Sequence, residues 1–311
     1  MALPNSEVTK TQPNKVVQLG DSEVFVKKTP FGEIQAVKAN VRLEERKSQL
    51  YVVQGKCRVT ADGYNELNKI AGVSVITPST LQLPDGNVVS NPYPIIDRAS
   101  GSISKVWVKK IAVGLTPIGN LVITSSTLLY DIGMYFIQDL YKKIQRDKMM
   151  GRACMRPMLS EKDLQTGMFF SLENELGIWV DVGHPEFLKA MDTYIQNKLF
   201  AERKAQTICE RNALRKHPAL ATVTVIPQGA DGNRIAVVPV VGYTHKFSKE
   251  ELGSIAEQAV KGETVNYNGQ EAEIIETTAT VVEDDENEPT TEAGTFAPQG
   301  QMNFGGDGEV L

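Results

Sequence analysis

Several side chains in this sequence have types and spacings suited to holding a polyanion. Residues 198–218 read as the second half of one helix spanning about 185–218. At about 100° per residue, Lys204, Arg211 and Arg215 share an arc about 40° wide, with Thr207 beside them. Ala201, Ala205, Ile208, Cys209 and Ala213 make the neighbouring arc, small and apolar and suited to close packing. Arg211 and Arg215 stand one turn apart, where like charges repel by a few tenths of a kcal/mol. Glu202 and Glu210 fall on other faces and do not neutralise the row. A nucleic-acid backbone is a repeating anion that would. A solvated face, or one paired with acids from elsewhere in the fold, is the plainer alternative.

A second group alternates along residues 102–113. On a strand, Lys105, Trp107 and Lys109 share one face, and Val106, Val108 and Lys110 the other. An indole between two ammonium groups suits single-stranded nucleic acid, one base stacking while the flanking phosphates meet the lysines. The other reading puts Trp107 in the core with the lysines snorkelling past it. Arg152 and Arg156 form a third group, in a Gly- and Pro-punctuated segment (149–157) that reads as a mobile basic loop. Gly55-Lys56 lacks the upstream glycine of a phosphate loop and reads as a turn, whose lysine could still contact a phosphate.

Catalytic constellations are weaker. His184, His217 and His245 are widely separated, and the first two stand at opposite ends of the expected helix, too far apart to share a metal. No Cys-x-x-Cys, His-Glu-x-x-His or Gly-x-Ser-x-Gly spacing occurs. Asp62, Asp97, Asp131 and Asp181 lie near element ends, and gathered together they would suit a two-metal nuclease. Four scattered aspartates are also what chance supplies. The expectation is therefore a protein that is not an enzyme and needs no metal or cofactor.

The elements that position these groups are those of an α+β fold, a mixed or antiparallel sheet with hairpins packed against two long helices. Residues 23–27 and 33–41 read as strands or irregular structure, and strands are expected at 50–53, 73–76, 102–113 and 121–124, the last two joined by a hairpin turn at 114–120. Thr60 caps a short helix that Gly72 ends. Ser125-Ser-Thr opens a helix to about residue 148, with Leu128, Leu129, Ile132, Tyr135, Phe136, Leu140 and Ile144 as its core stripe. Segments 168–172 and 177–181 read as paired strands, and Pro185 opens the second long helix. A strand pair follows at 221–226 and 234–241, then a helix at 248–261 opened by a Ser248/Glu251 capping box, then a hairpin about Asn268-Gly269.

Charge divides the chain. Residues 271–311 hold eleven acids and no Lys or Arg, so residues 1–270 carry all 33 basic residues against 27 acids, a net of +6. A basic body with an acidic tail suits a nucleic-acid-handling protein, the tail competing for the basic surface or recruiting a partner. A solubilising tail is the alternative. Three organisational segments result: a flexible N-terminus (1–20), an α+β core (21–282) and an acidic disordered tail (283–311). With 41% hydrophobic residues the bulk should be globular. No run of about 18 apolar residues predicts a membrane span. The N-terminus lacks a leader pattern, and Cys57, Cys154 and Cys209 are too few and too dispersed for a disulfide framework, so a reducing cytoplasm is expected.

The order of elements is similar to that of phage-type single-strand annealing proteins of the RecT/Red beta kind. Residues 54–64, Gln-Gly-Lys-Cys-Arg-Val-Thr-Ala-Asp-Gly-Tyr, resemble a strand-to-helix passage in those proteins. Residues 104–113 offer a basic and aromatic strand face, and residues 201–215 resemble the Ala/Lys/Arg-rich helix near the end of the annealing core. The resemblance covers about 45–245 and departs in the long central connection and in Gly177-Ile-Trp-Val-Asp. It implies ATP-independent pairing of complementary single DNA strands in homologous recombination, by a homo-oligomeric ring or filament, in a bacterial host cytoplasm if the chain is phage-encoded. It further implies a tail that docks a single-strand-binding protein or an exonuclease, or regulates the chain itself. In physical terms Lys105, Trp107, Lys109, Lys204, Arg211 and Arg215 would line one groove. Reversing the charge of Arg211 and Arg215 would then abolish binding without unfolding. A virion or scaffold component, which needs no catalytic motif either, is the competing class.

Overall fold

Ile103–Leu115 and Leu121–Asp131 pair antiparallel from Lys105 opposite Asp131 to Leu115 opposite Leu121. This hairpin carries the rest of the chain. Its turn closes through Thr116 N to Asn120 O at 2.8 Å and Gly119 N to Thr116 O at 2.7 Å. Gly119 sits at φ +91°, a backbone state that favours glycine. The computed structural model describes residues 17–19, 22–29, 32–53, 56–220, 228–230, 232–244, 247–267 and 270–279.

In chain order the first strands are β1 (Val17–Leu19), β2 (Ser22–Thr29), β3 (Gly32–Glu44), β4 (Leu50–Val53) and β5 (Lys56–Val59). Helix α1 (Ala61–Ala71) leads to β6 (Ser74–Ile76), β7 (Thr80–Gln82), β8 (Val88–Ser90) and β9 (Tyr93–Ile96). The central hairpin is β10 (Ile103–Leu115) and β11 (Leu121–Asp131), followed by α2 (Ile132–Arg146), β12 (Gly151–Met155), α3 (Glu161–Thr166), β13 (Gly167–Glu173) and β14 (Leu176–Asp181). Then come α4 (Pro185–Leu199), α5 (Ala201–Lys216), β15 (Ile235–Tyr243), α6 (Lys249–Lys261), β16 (Asn266–Tyr267), β17 (Gln270–Glu271) and β18 (Glu273–Ala279).

The central sheet runs β18-β11-β10-β6, with β9 also on β10; β18 joins β11 in parallel and the other pairs are antiparallel. A second sheet runs β1-β2-β3-β15, and a third runs β12-β14-β13. The α+β class with mixed and antiparallel sheets stands as expected.

Both faces of the hairpin are covered, which is why its strands read as long apolar runs. Ile111, Val113, Leu115, Leu121 and Ile123 pack under α6 through Ile255, Ala256 and Ala259. Val106, Val108, Leu128 and Tyr130 pack on the opposite face under α5 through Ala201, Ala205 and Cys209. The small α5 residues let the helix lie close to the sheet, with the Cys209 thiol donating to Ser126 O at 3.1 Å. A third core joins α1 to β3, β15 and the end of α5 through Leu43, Tyr64, Leu67, Ala213, Leu214 and Val238. A fourth joins α2 and α4 to the β12-β14-β13 sheet through Phe136, Leu140, Ile144, Ile178, Val180 and Phe187. Each fully buried side chain of Leu or Ile size contributes about 1.5–3 kcal/mol.

The structure corrects several boundaries. Ser125–Asp131 continues β11, and α2 begins at Ile132, where the Asp131 carboxylate accepts from Met134 N at 3.2 Å. The helix expected over 185–218 is two helices, parted at Phe200 (φ −114°, ψ 22°). Residues 151–155, expected as part of a loop, form β12 in antiparallel register with β14. Val17–Leu19, expected to be flexible, form β1 on β2. Glu44 is buried and gathers Arg42, Arg46 and Lys47 at 3.4, 2.6 and 2.9 Å. The strand at 221–226, the Asn268-Gly269 turn and the tail at 283–311 lie outside the described residues.

Candidate nucleic-acid interface

The eight basic and aromatic residues singled out in the sequence come to four places. Lys105, Trp107 and Lys109 do share a face of β10, the face that α6 covers further along the strand. Trp107 is only 9% exposed, so its indole is mostly core and offers no open ring to a base. Lys109 is half-buried, and its backbone N and O both bind the Asn91 side chain. Helix α5 packs on the opposite face, so the expected single groove with Lys204, Arg211 and Arg215 does not form.

Arg211 is a further correction. It is 3% exposed, because the second half of α5 is sandwiched between the hairpin and α1. Its charge faces protein, and its reversal would disturb the fold first. Arg215 is half-buried at the far end of α5. Arg152 lies on the third sheet, where its guanidinium stands over the Trp179 ring at 4.9 Å and bonds Asp163 at 2.8 Å. That pairing, with the Ser160 bonds, holds the Asp163 carboxyl down at about 2. Arg156 is exposed in a short 3-10 turn after β12.

Lys204 stands at the junction of α4 and α5. Lys204 Nζ donates to Asn197 Oδ1 at 2.8 Å, tying the first turn of α5 to the last turn of α4. The next residue, Lys198, donates to Ser102 Oγ at 2.7 Å and stands over the Tyr194 ring at 5.2 Å. Lys105 and Lys198 line a cavity of about 330 Å³ together with Asp97, Asp131, Met134 and Tyr194. Lys105 pairs with Asp131 at 2.8 Å. Asp97 is held below the usual carboxylate range, chiefly by the Ser100 hydroxyl and then by the Ala99 N–H.

Beside the cavity, the break between the helices turns Phe200 outward, 39% exposed, and Arg203 stacks over its ring at 4.7 Å. Tyr194 with Lys198 and Phe200 with Arg203 make two ring–cation contacts along this α4–α5 ridge, the half-buried Tyr194 ring also packing on Phe136 at 4.6 Å. An exposed ring beside a guanidinium can take a stacked base, and the ammonium groups can take the adjoining phosphates. The wheel missed these residues because it treated 185–218 as one continuous helix. Their spacing was visible all the same, aromatic and cation four apart at Tyr194/Lys198 and three apart at Phe200/Arg203.

Of the four scattered aspartates, Asp97 and Asp131 meet at this cavity, with Lys105 and Lys198 on its wall. Asp62 lies in the first turn of α1, and Asp181 accepts from Gly183 N after β14. Among the described residues, no three His, Cys, Asp or Glu side chains come together as a metal-ion site. Nor is any described helix long and apolar enough to cross a membrane. Compared with family models, curated proteins and solved structures, the chain matches none.

Proposed function

We propose that this chain binds single-stranded DNA along the α4–α5 ridge and pairs complementary strands without ATP, as an annealing protein of homologous recombination. The observation that carries the reading is the pair of ring–cation stacks, Tyr194 with Lys198 and Phe200 with Arg203, flanked by Lys105 and Lys204. Stacking tolerates any base, and ammonium and guanidinium groups neutralise phosphates without reading sequence. The net charge of +6 over residues 1–270 supports the same reading. Bases stacked at an exposed ridge keep their pairing edges free for a second strand. Two complementary oligonucleotides, one carrying a quencher, test it: the protein should speed their pairing with no nucleotide present, and Lys198→Glu with Arg203→Glu should remove the acceleration. Pairing at the uncatalysed rate with the unaltered chain would refute the annealing function.

One observation favours a second reading, an assembly protein. Thirteen of the eighteen exposed large apolar side chains among the described residues lie between Met134 and Phe200, on α2, α4 and the third sheet with its connections. A concentration of that kind marks protein contact. A chain that associates yet fails to bind oligothymidine at low salt would belong to this class.

A further inference from the structure

Helices α2 and α4 lie side by side and antiparallel. Lys143 meets Glu186 at 3.1 Å near one end, and the Phe136 and Tyr194 rings meet at 4.6 Å toward the other. On one side Phe136, Leu140, Phe187 and Ala190 pack into the core shared with the third sheet. Turned away from the sheet, both helices carry apolar stripes at helical spacing, Met134, Ile137 and Tyr141 on α2 and Leu188, Met191, Ile195 and Leu199 on α4. Ile137 and Met191 are half-buried at the edge of that core, and the other five are exposed, from 44% at Tyr141 to 67% at Leu199. At the offset set by Phe136 and Tyr194, Met134 stands about level with Ile195, and Tyr141 with Leu188. The two stripes therefore form one face.

Two antiparallel helices covered on one side are half of a four-helix bundle. The five exposed side chains present roughly 500 Å² of surface, so two such faces together would bury roughly 1,000 Å², the size at which a specific protein contact becomes stable. The charges suit a second copy and fix its orientation. Asp192 is exposed on the crest of α4, while Glu186, the other acid of that helix, is engaged by Lys143 and Lys189. The crest of α2 carries Gln138, Lys142 and Gln145 and no acid. A two-fold axis along the groove lays each α2 antiparallel over the partner's α4, with Asp192 level with the partner's Gln138 and one turn from the partner's Lys142. The other two-fold stacks α4 on α4 and sets Asp192 against its own copy, like charge on like.

We propose that this face is the interface of a homodimer, which closes a four-helix bundle from α2 and α4 of two copies. The proposal rests on the association reading above and names its partner; oligothymidine binding tests the α4–α5 ridge separately. Light scattering on the full chain, from about 1 to 100 µM, should move from the mass of one chain to that of two. Leu188→Glu with Ile195→Glu, checked for folding by circular dichroism, should weaken the dimer at least about a hundredfold. Leu164→Glu, exposed on α3, should leave it unchanged. Orientation is read with two full-length chains in a Cys154→Ser background, one carrying Met134→Cys and the other Ile195→Cys. A short bismaleimide should join the one to the other. A chain that stays monomeric throughout would overturn the proposal and leave the face to a different protein. Association that persists in the folded Leu188/Ile195 variant, or cross-links of Ile195→Cys only to itself, would overturn it as well. Should that variant fail to fold, the cross-links decide.

Discussion

His217 should make this protein sensitive to mild acid. Its ring is fully buried at the end of α5, with Nε2 3.2 Å from Val122 O and Nδ1 accepting from Ala219 N at 3.2 Å. Accepting at Nδ1 requires the neutral tautomer that carries its proton on Nε2, which then donates to Val122. A second proton would point one N–H at another in a dry site. Burial accordingly pushes the imidazole down from 6.5 to about 4. The depressed value means the unfolded chain takes up the proton first, so the contribution is complete above pH 6.5 and shrinks as pH falls toward 4. At about 1.4 kcal/mol per unit, the loss is about 2 kcal/mol by pH 5 and about 3 kcal/mol in all. Urea unfolding at pH 7.5 and pH 5, for the chain and for His217→Gln, isolates the effect from the carboxylates. The chain should lose about 2 kcal/mol more than the variant between the two pH values. Equal losses would refute the buried neutral imidazole.

Gly242→Ala should destabilise strongly, because a Cβ there would stand 1.6 Å from Ile70 O on α1. Backbone must move to make room, at about 3 kcal/mol or more, read as a lowered Tm. Arg211→Glu should lower stability by about 3 kcal/mol or more, since it puts a carboxylate where a buried cation stands; a folded variant of unaltered Tm would contradict the burial. Iodoacetamide on the native chain at neutral pH should label Cys154 and spare Cys57 and Cys209, which are buried. Desolvation also pushes the Cys209 thiol up to about 12, so it holds little reactive thiolate. Mass spectrometry of the tryptic peptides reads the pattern directly.

Local chemistry was legible wherever it was self-contained. Thr60 and Gly72 bound α1, the Thr60 hydroxyl accepting from Gly63 N and Gly72 in the left-handed region. Ser248 and Glu251 close their capping box on α6. The 114–120 turn joins its two strands as its residues suggest. Tertiary pairing decided the rest. Ser125-Ser-Thr looks like a helix cap, and Leu128 with Leu129 fits a helical stripe. Pairing along the full length of β10, with burial on both faces, overrides that pattern and moves the cap to Asp131. The break at Phe200 has no Gly or Pro to announce it. A helical wheel gives the direction of Arg211 but not what lies there, and its burial follows from α1 covering the second half of α5. The wheel did place Lys204 beside the proposed ridge; it missed Lys198, Phe200 and Arg203, and the outward turn of Phe200 comes from the helix break.

The most direct test is fluorescence anisotropy of a labelled oligothymidine titrated at several salt concentrations, with the chain and with Lys198→Glu/Arg203→Glu, both checked for folding by circular dichroism. Four ridge cations on phosphates (Lys105, Lys198, Arg203 and Lys204) predict a log–log salt slope of about −3 per subunit, or about fiftyfold weaker binding between 50 and 200 mM salt. The double variant should lose about half of that slope and most of its affinity at low salt. Absent or salt-independent binding, or a folded double variant that binds as the unaltered chain does, would contradict the ridge as a single-strand interface.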